Sequence, residues 1–409
     1  MAQNFKLALR NLNRNRRRSL LSSLAISLGL ALLLLMAAMI RGEMDASIDK
    51  TIQLSSGHIQ IRSSAYVEGK SSLKWSDLVA EPQSIIKSLE ESQTLNELMV
   101  TATPRLNASA IISSGNDTIG VQLLGVDPLS PANDPFVQGL TAGKFLAPDN
   151  TNEIVIGQLL ANKLGVGVGD SLNLLVNTSN GNVNEQKYIV GGLYTTHTPS
   201  YDESTILMPL DKAQSMTGSE GHATSIFILL KDSARSDAVA DAIQGTGYEV
   251  TTWQEMNQLL IDTEELAASF MIIIYLIVLA VTATVIVNTL IMSVFERTRE
   301  IGILAAVGMK GRQIMNLFLA EASILAVAGI AFGLLLGWLV CLYFGKFGFS
   351  IGDMGISNGM LLGDKIFAIL TAGDAIKLTL LAFIVTMVAS LYPAILAARL
   401  EPVDALHGK

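Results

Sequence analysis

The sequence predicts an α-helical membrane protein with four transmembrane helices and one large extracytoplasmic α+β domain between the first two. Three observations carry this prediction. Four runs lack any charged residue over 21 to 30 positions, the charge that remains is sorted by segment, and residues 42–265 have the strand-and-turn texture of a folded domain. The 409-residue chain is 50% hydrophobic and 16% charged, against about 25% charged in an ordinary soluble domain.

The uncharged runs are residues 19–40, 266–295, 322–345 and 378–398. A helix rises 1.5 Å per residue, so about 20 apolar residues cross a hydrocarbon core of about 30 Å. All four runs are long enough, and four in one chain are too many for buried helices of a soluble protein. The first has the basic start of a signal peptide, but it is longer than a signal core and ends Met39-Ile40-Arg41 rather than in small residues spaced for cleavage. It reads as a retained anchor.

Orientation follows from the short flanking segments. Residues 1–18 hold Lys6, Arg10, Arg14, Arg16, Arg17 and Arg18 and no acid. The loop between the second and third runs holds Arg297, Arg299, Lys310 and Arg312, and the tail holds Arg399 and Lys409. The positive-inside rule makes these segments cytoplasmic, both termini included. Residues 42–265 carry 12 basic and 28 acidic residues and are expected outside, as is the short loop 346–377. Phe5, Leu9 and Leu12 share one helical face, which suggests an amphipathic helix on the membrane surface before the first span.

Within residues 42–265, GHIQI (Gly57–Ile61) alternates like a strand, a helix is expected around Glu81–Glu91, and a strand near Leu98–Thr103. The far end repeats the pattern, with strand Ser225–Leu230, helix Ser236–Ile243 and strand Tyr248–Trp253. Brought together, two βαβ units make a small α/β sandwich. The middle, about 105–218, has short apolar runs broken by turns at Ser114-Gly115-Asn116-Asp117 and Asn180-Gly181 and reads as a β-rich insertion. Tyr194–Thr205 is polar and contains Pro199. It is expected to be an exposed loop able to carry contacts, with Thr198, Pro199, Tyr201 and Asp202 as candidate partner-binding residues.

Three further features bear on function. In Glu296–Ile314, residues Ile301, Leu304, Ala305 and Gly308 share a helical face, with Gly308 and Gly311 as natural helix stops. Such a short amphipathic helix fits a groove on another protein or lies on lipid headgroups. In the third run Gly329, Gly333 and Gly337 recur every four residues, a stripe that lets two helices approach closely, within the bundle or between subunits. Asn288, Thr282 and Thr284 are the polar exceptions in the second run, and Glu321 sits only at the edge of the third. Ionisable groups at mid-membrane, the usual mark of an ion-coupled carrier, are therefore missing from the four runs.

Motifs of catalysis are absent from the sequence. There is no G-x-x-x-x-G-K-[ST], and the glycine-rich Gly165–Gly169 is followed by Asp170, whose charge repels phosphate. There is no H-E-x-x-H or G-x-S-x-G, and His58, His197, His222 and His407 show no ligand spacing. The single Cys341 excludes an intrachain disulfide. The chain is read as a non-catalytic subunit with no cofactor of its own, and nothing points to nucleic acid.

The stretch ERTREIGILAAVG (Glu296–Gly308), followed by Gln313-Ile314 and Glu321, resembles the inner loop of the FtsX-like and MacB-type permease family of ABC transporters, which includes lipoprotein-releasing permeases of the LolC and LolE kind. The closing YPAILAARLEPVDALHGK and the external segments PRLNASAIIS, LLGVDP and EIVIGQLLANKLGVGVGDSLNL resemble that family in order, over nearly the whole chain. The resemblance implies a permease working with two copies of a separate ATPase subunit, which binds ATP and Mg, and with a second permease as homodimer or related heterodimer. MacB carries a fused ATPase domain at its front, whereas this chain begins almost at its first span. The inner loop would be the coupling helix, with Glu300, Ile301, Gly302, Leu304, Val307 and Gly308 as the ATPase-coupling residues and Ile301, Leu304 and Val307 facing the ATPase. The family implies a lever action that drives export or release of lipoprotein or another amphiphile from a bacterial inner membrane, in some members with a carrier recruited by a loop of the insertion. Cell-division relatives instead activate an external cell-wall hydrolase, which is the alternative function.

Overall fold

The structure is a computed structural model that describes residues 16–66, 73–115, 117–149, 152–350 and 365–400. The expected surface helix at residues 5–12 and most of the C-terminal tail lie outside these residues. Two compact units form: a membrane unit from Met1–Met44, Glu264–Phe349 and Ile366–Lys409, and an external unit built mainly from Asp45–Thr263.

In the membrane unit the four uncharged runs lie inside longer helices: Arg16–Thr51, Gln258–Glu296, Gly311–Phe347 and Ala372–Ala398, called spans 1 to 4. All four are long and apolar enough to cross a membrane. An uncharged run marks only the apolar stretch. The helices continue past it because their backbone hydrogen bonds are internal and need no hydrocarbon around them. The bundle core joins Ile26, Leu30, Leu33 and Leu34 of span 1 to Leu279, Ile286 and Leu290 of span 2, Ala322 and Ile330 of span 3, and Leu378 and Ala382 of span 4. At one end of the bundle Arg41 Nε donates to Asp374 Oδ2 at 2.8 Å, tying span 1 to span 4.

The glycine stripe is an internal packing surface. A Cβ on Gly329 would stand 2.8 Å from both Ile26 Cβ and Ser23 O, on Gly333 2.9 Å from Ser27 O, and on Gly337 2.8 Å from Leu34 Cδ1. All three therefore receive span 1 of the same chain. Of the two readings open for Gly329, Gly333 and Gly337, packing within the bundle is the one the structure shows, and the subunit-interface alternative is set aside: the close approach that small residues permit is already used by span 1.

Among the described residues of Asp45–Thr263 the external unit has twelve strands: β1 (Ile59–Arg62), β2 (Val79–Ala80), β3 (Met99–Ser114), β4 (Asp117–Val126), β5 (Leu140–Gly143), β6 (Glu153–Gly157), β7 (Ser171–Asn177), β8 (Val183–Tyr194), β9 (Thr205–Pro209), β10 (His222–Ala223), β11 (Ser225–Leu230) and β12 (Glu249–Thr252). β2 and β10 pair as a small ribbon. The other ten form one sheet in the order β12-β1-β11-β3-β4-β9-β6-β8-β5, with β7 bridging β3 and β8.

That bridge closes a ring. β3, β4, β9, β6, β8 and β7 make a six-stranded barrel, so the β-rich insertion has no open edge around the ring. Its interior is filled by alternate residues, such as Leu106, Ala108, Ala110 and Ile112 of β3 with Leu172, Leu174 and Val176 of β7. The remaining strands, in the order β12-β1-β11-β3, are all antiparallel neighbours. With the helices Pro82–Glu91 and Ser236–Ile243 they form a ferredoxin-like split βαβ layer. Ile59, Ile61, Ile226 and Ile228 pack there against Ile86, Leu89, Val239 and Ile243.

The expected boundary near residue 105 falls inside a strand. β3 runs unbroken for 16 residues, its first part beside β11 and its second beside β4 and β7. Pro104 sits where partners change: it faces Ile226 of β11, while pairing with β4 begins only at Arg105. A proline, which has no N–H to leave unpaired, suits such a position.

Two outcomes are expected. Gly333→Leu forces a side chain against the Ser27 backbone and should destabilise the bundle by about 2 kcal/mol, read as a lower thermal midpoint of the detergent-solubilised chain. His58 accepts from the Leu230 N–H through Nδ1 at 3.0 Å, and burial, opposed by Asp232, holds its pKa below the ordinary histidine value. The unfolded chain then takes up the proton first, so stability is fully present above about pH 6.5 and falls as pH drops below it. Urea midpoints measured between about pH 7.5 and 5.5 should show this slope, and His58→Gln should flatten it.

Candidate functional site

The loop between spans 2 and 3 folds as a connecting helix, Thr298–Ala306. Ile301 is 4% exposed and belongs to a cluster with Val294 of span 2, Ile314 and Phe318 of span 3, and Ala394 and Ala397 of span 4. Gly302 is buried beside it. The opposite side is bare: Ile303 is 49% exposed, Leu304 37% and Val307 83%. The expectation that Ile301 faces a partner is therefore corrected. A helix of nine residues with one apolar stripe in the bundle has its free apolar face about 100° away, and that face carries Ile303, Leu304 and Val307. Ile303 was missed because an isolated sequence shows the stripes but not which of them the bundle claims.

A buried ion pair fixes this helix. Arg297 donates to Glu321 Oε1 of span 3 at 2.8 Å and to Glu300 Oε2 at 2.9 Å. Glu321 is 3% exposed, so its carboxylate is stabilised through these contacts rather than by water. Glu300 thus holds the helix to Arg297. Gly308 ends the helix at φ +102°, a conformation that disfavours any Cβ, and its N–H donates to Ala305 O at 3.0 Å. Gly311, expected as a stop, instead begins span 3, where a Cβ would stand 2.8 Å from Ala398 O at the end of span 4.

The second candidate place, Tyr194–Thr205, is not a free loop. Tyr194 ends β8, and Pro199–Ser204 is a short helix leading into β9. Thr198, Tyr201 and Asp202 are buried and Pro199 is half-buried. Asp202 accepts from Thr195 Oγ1 at 2.8 Å, Thr196 N at 2.9 Å and Thr196 Oγ1 at 2.7 Å. Burial pushes its carboxyl above the ordinary range although these bonds pull the other way. Thr198, Tyr201 and Asp202 therefore organise the turn from inside. A polar composition suggested exposure because the polar groups satisfy one another, which no local pattern reveals.

Tyr201 reaches a site the sequence did not signal. Its hydroxyl donates to Leu54 O at 3.4 Å, and Arg105 Nη1 donates to the same oxygen at 2.9 Å. Leu54 lies in the π-helical turn Ile52–Ser56 that follows span 1. Arg105 is 2% exposed and stacks on Phe227, 3.4 Å from guanidinium carbon to ring centroid, with Nη2 3.5 Å from Ala132 O. Burial lowers its pKa to about 10, which leaves it cationic at neutral pH, and raises that of Tyr201 to about 12. Strand parity puts Arg105 on the face opposite Leu106, which would be solvent in an isolated barrel. It is buried because the Leu54 turn and Phe227 cover that face.

Comparison with known proteins gives a consistent result. The family described as MacB-like periplasmic core domain matches residues 19–246, and the FtsX-like permease C-terminal family matches residues 272–402. The lipoprotein-releasing system transmembrane protein LolC of Neisseria meningitidis is 25% identical over 76% of this chain and 78% of its own length. LolE of Haemophilus influenzae is 26% identical over 78% of this chain and 80% of its own. The macrolide export ATP-binding/permease protein MacB of Salmonella paratyphi A is 26% identical over 82% of this chain and 49% of its own.

Arg105→Ala should strip Leu54 O of its charged donor and leave a cavity under Phe227. A loss of about 3 kcal/mol is expected, with faster amide exchange in residues 52–56 and in β3. Arg105→Lys, which keeps the charge but not the planar stack, should recover only part of it.

Proposed function

We propose that this chain, which belongs to the family joining a MacB-like periplasmic core domain to an FtsX-like permease domain, is the permease subunit of an ABC transporter that couples a separate ATPase to work at the outer face of a bacterial inner membrane. The observation that carries the coupling is the connecting helix. Ile301 and the Arg297–Glu321 pair anchor it to three spans, while Ile303, Leu304 and Val307 remain uncovered. An anchored helix with a bare apolar ridge suits insertion into a groove of a motor subunit, because a push on the ridge reaches spans 2, 3 and 4 through close-packed side chains.

Transmission without a pore fits the spans themselves. Polar side chains in them mostly bond back to their own helix, as Thr282, Thr284, Thr289, Thr386 and Ser390 do with carbonyls four residues earlier. Such side chains do not line an aqueous path. Cargo would then be moved by the external unit, and the named relatives point to lipoprotein or another amphiphile as its class. A carrier contact is not assigned to Thr198, Tyr201 or Asp202, which are internal.

The test is co-purification. The full chain expressed with its cognate ATPase should retain that subunit, and Leu304→Asp combined with Val307→Asp should lower the retained amount at least tenfold without lowering the thermal midpoint. Ile301→Asp should instead lower the midpoint by burying a charge in the cluster of Val294 and Phe318. Equal ATPase retention by Leu304→Asp/Val307→Asp and the unaltered chain would refute the coupling surface.

A further inference from the structure

Residues 366–370 (IFAIL) precede span 4 in the loop expected outside the membrane, yet they lie against spans 1 and 3 at the ends remote from the connecting helix. The Ile369 N–H donates to Ala38 O of span 1 at 2.9 Å. A Cβ on Gly42 would overlap Phe367 O, and one on Gly345 of span 3 would stand 3.0 Å from Ala368 O, so both glycines make room for the passing chain. Ala368 is buried with Ala38 and Cys341, and Leu370 packs beside them. Arg41, the first charge after the run in span 1, comes three residues after Ala38, and Lys346 comes five after Cys341. At 1.5 Å per residue these contacts lie about 5 to 8 Å inside the uncharged segments. The outward side of the segment is apolar too. Phe367 and Ile369 alternate with Ala368 and Leu370 and are 42% and 41% exposed. Phe344, which packs on the same cluster, leads through ring contacts of 5.4, 5.0 and 6.0 Å to Tyr343, Phe347 and Phe349, all exposed.

We propose that residues 366–370 form an interfacial strap that clasps spans 1 and 3 and lays Phe367 and Ile369 into the outer leaflet, against phospholipid at the boundary of headgroups and acyl chains. Three observations select lipid as the partner. A loop in water alternates apolar residues with polar ones, whereas this segment is apolar on both sides. Its contacts with the spans lie deeper than the first charges of those spans. Its outward side chains are continuous with the exposed aromatic flank of span 3, where Tyr343 and the Lys346 ammonium, 5.7 Å from the Phe347 ring, are of the kinds that settle at a membrane–water interface. Non-helical backbone at this depth has to be satisfied from within the protein, and the Ala38 carbonyl does so for Ile369. Held by two spans on one side and by lipid on the other, the strap fixes the depth of the bundle in the membrane, whether or not the connecting helix meets an ATPase.

Nitroxide accessibility of the full chain in phosphatidylethanolamine/phosphatidylglycerol vesicles tests this. A spin label on Phe367→Cys or Ile369→Cys reads collisions with oxygen, which concentrates in lipid, against collisions with a neutral nickel chelate, which stays in water. Cys341 is buried, and the chain without an added cysteine measures any labelling there. The oxygen-to-nickel ratio at 367 and 369 should stand roughly threefold or more above that at Glu220→Cys, exposed on the external unit, and close to that at Leu339→Cys, exposed on span 3. Gly42→Leu, which drives a side chain into the Phe367 carbonyl, should lower the ratio at 369 toward the Glu220→Cys value. Ratios at 367 and 369 equal to that at Glu220→Cys would put the segment in water, and few collisions with either reagent would put a protein surface over it. Either result overturns the proposal, as does an unchanged ratio at 369 in Gly42→Leu.

Discussion

A buried guanidinium held by carbonyl oxygens and an aromatic face, rather than by a carboxylate, is the constraint on which the external unit depends. Arg105 lies on β3, the strand that serves both the ferredoxin-like layer and the barrel, at the position where β3 changes neighbours. Its charge costs several kcal/mol to bury, and that cost is offset only if the Leu54 and Ala132 carbonyls and the Phe227 ring stand where they do. One side chain therefore ties together the turn after span 1, β3, β11 and the segment before β5. Gly57 takes part through its positive φ: it lies close enough to the Phe227 ring that a Cβ would stand 3.1 Å from it.

The membrane unit uses the same device with different materials. Hydrocarbon gives helices no hydrophobic reason to associate, so packing has to come from close approach and from a few polar contacts. Gly329, Gly333 and Gly337 supply the approach to span 1, and Gly29 receives Thr282 Oγ1 from span 2. Arg297 and Glu321 supply the polar contact at the connecting helix, and Arg41 and Asp374 supply one at the other end. A bundle tied at both ends and close-packed between them transmits displacement instead of absorbing it. Under the coupling proposed above, in which the connecting helix drives the bundle, this is the property the spans would need, and it calls for no polar lining.

Sequence alone determined the quantities that depend on composition and local period. Uncharged length fixed the number of spans, since the hydrocarbon thickness leaves no other reading of four such runs. Period-two alternation and turn residues revealed most of the longer strands, though not β5, β9 or the β2–β10 ribbon, and the two similar βαβ ends were visible because each repeats strand, helix and strand in order. The glycine spacing and the amphipathic connecting helix were equally plain.

What tertiary structure alone decided was which face meets which. Ile301 and Leu304 are alike as apolar residues on one short helix, and only the cluster around Phe318 shows that the first is anchored and the second free. The glycine stripe announced a close neighbour but not that span 1 of the same chain takes that place. Asp202 and Tyr201 read as exposed because polarity is a residue property, whereas Asp202 is satisfied by Thr195 and Thr196 once the turn between β8 and β9 folds back on itself, and Tyr201 meets the Leu54 carbonyl from a segment 147 residues away. Arg105 was illegible for the same reason. Strand parity assigns a side to a residue, but whether that side is solvent or core is set by segments distant in the chain, and contacts of that kind leave no periodic trace in the sequence.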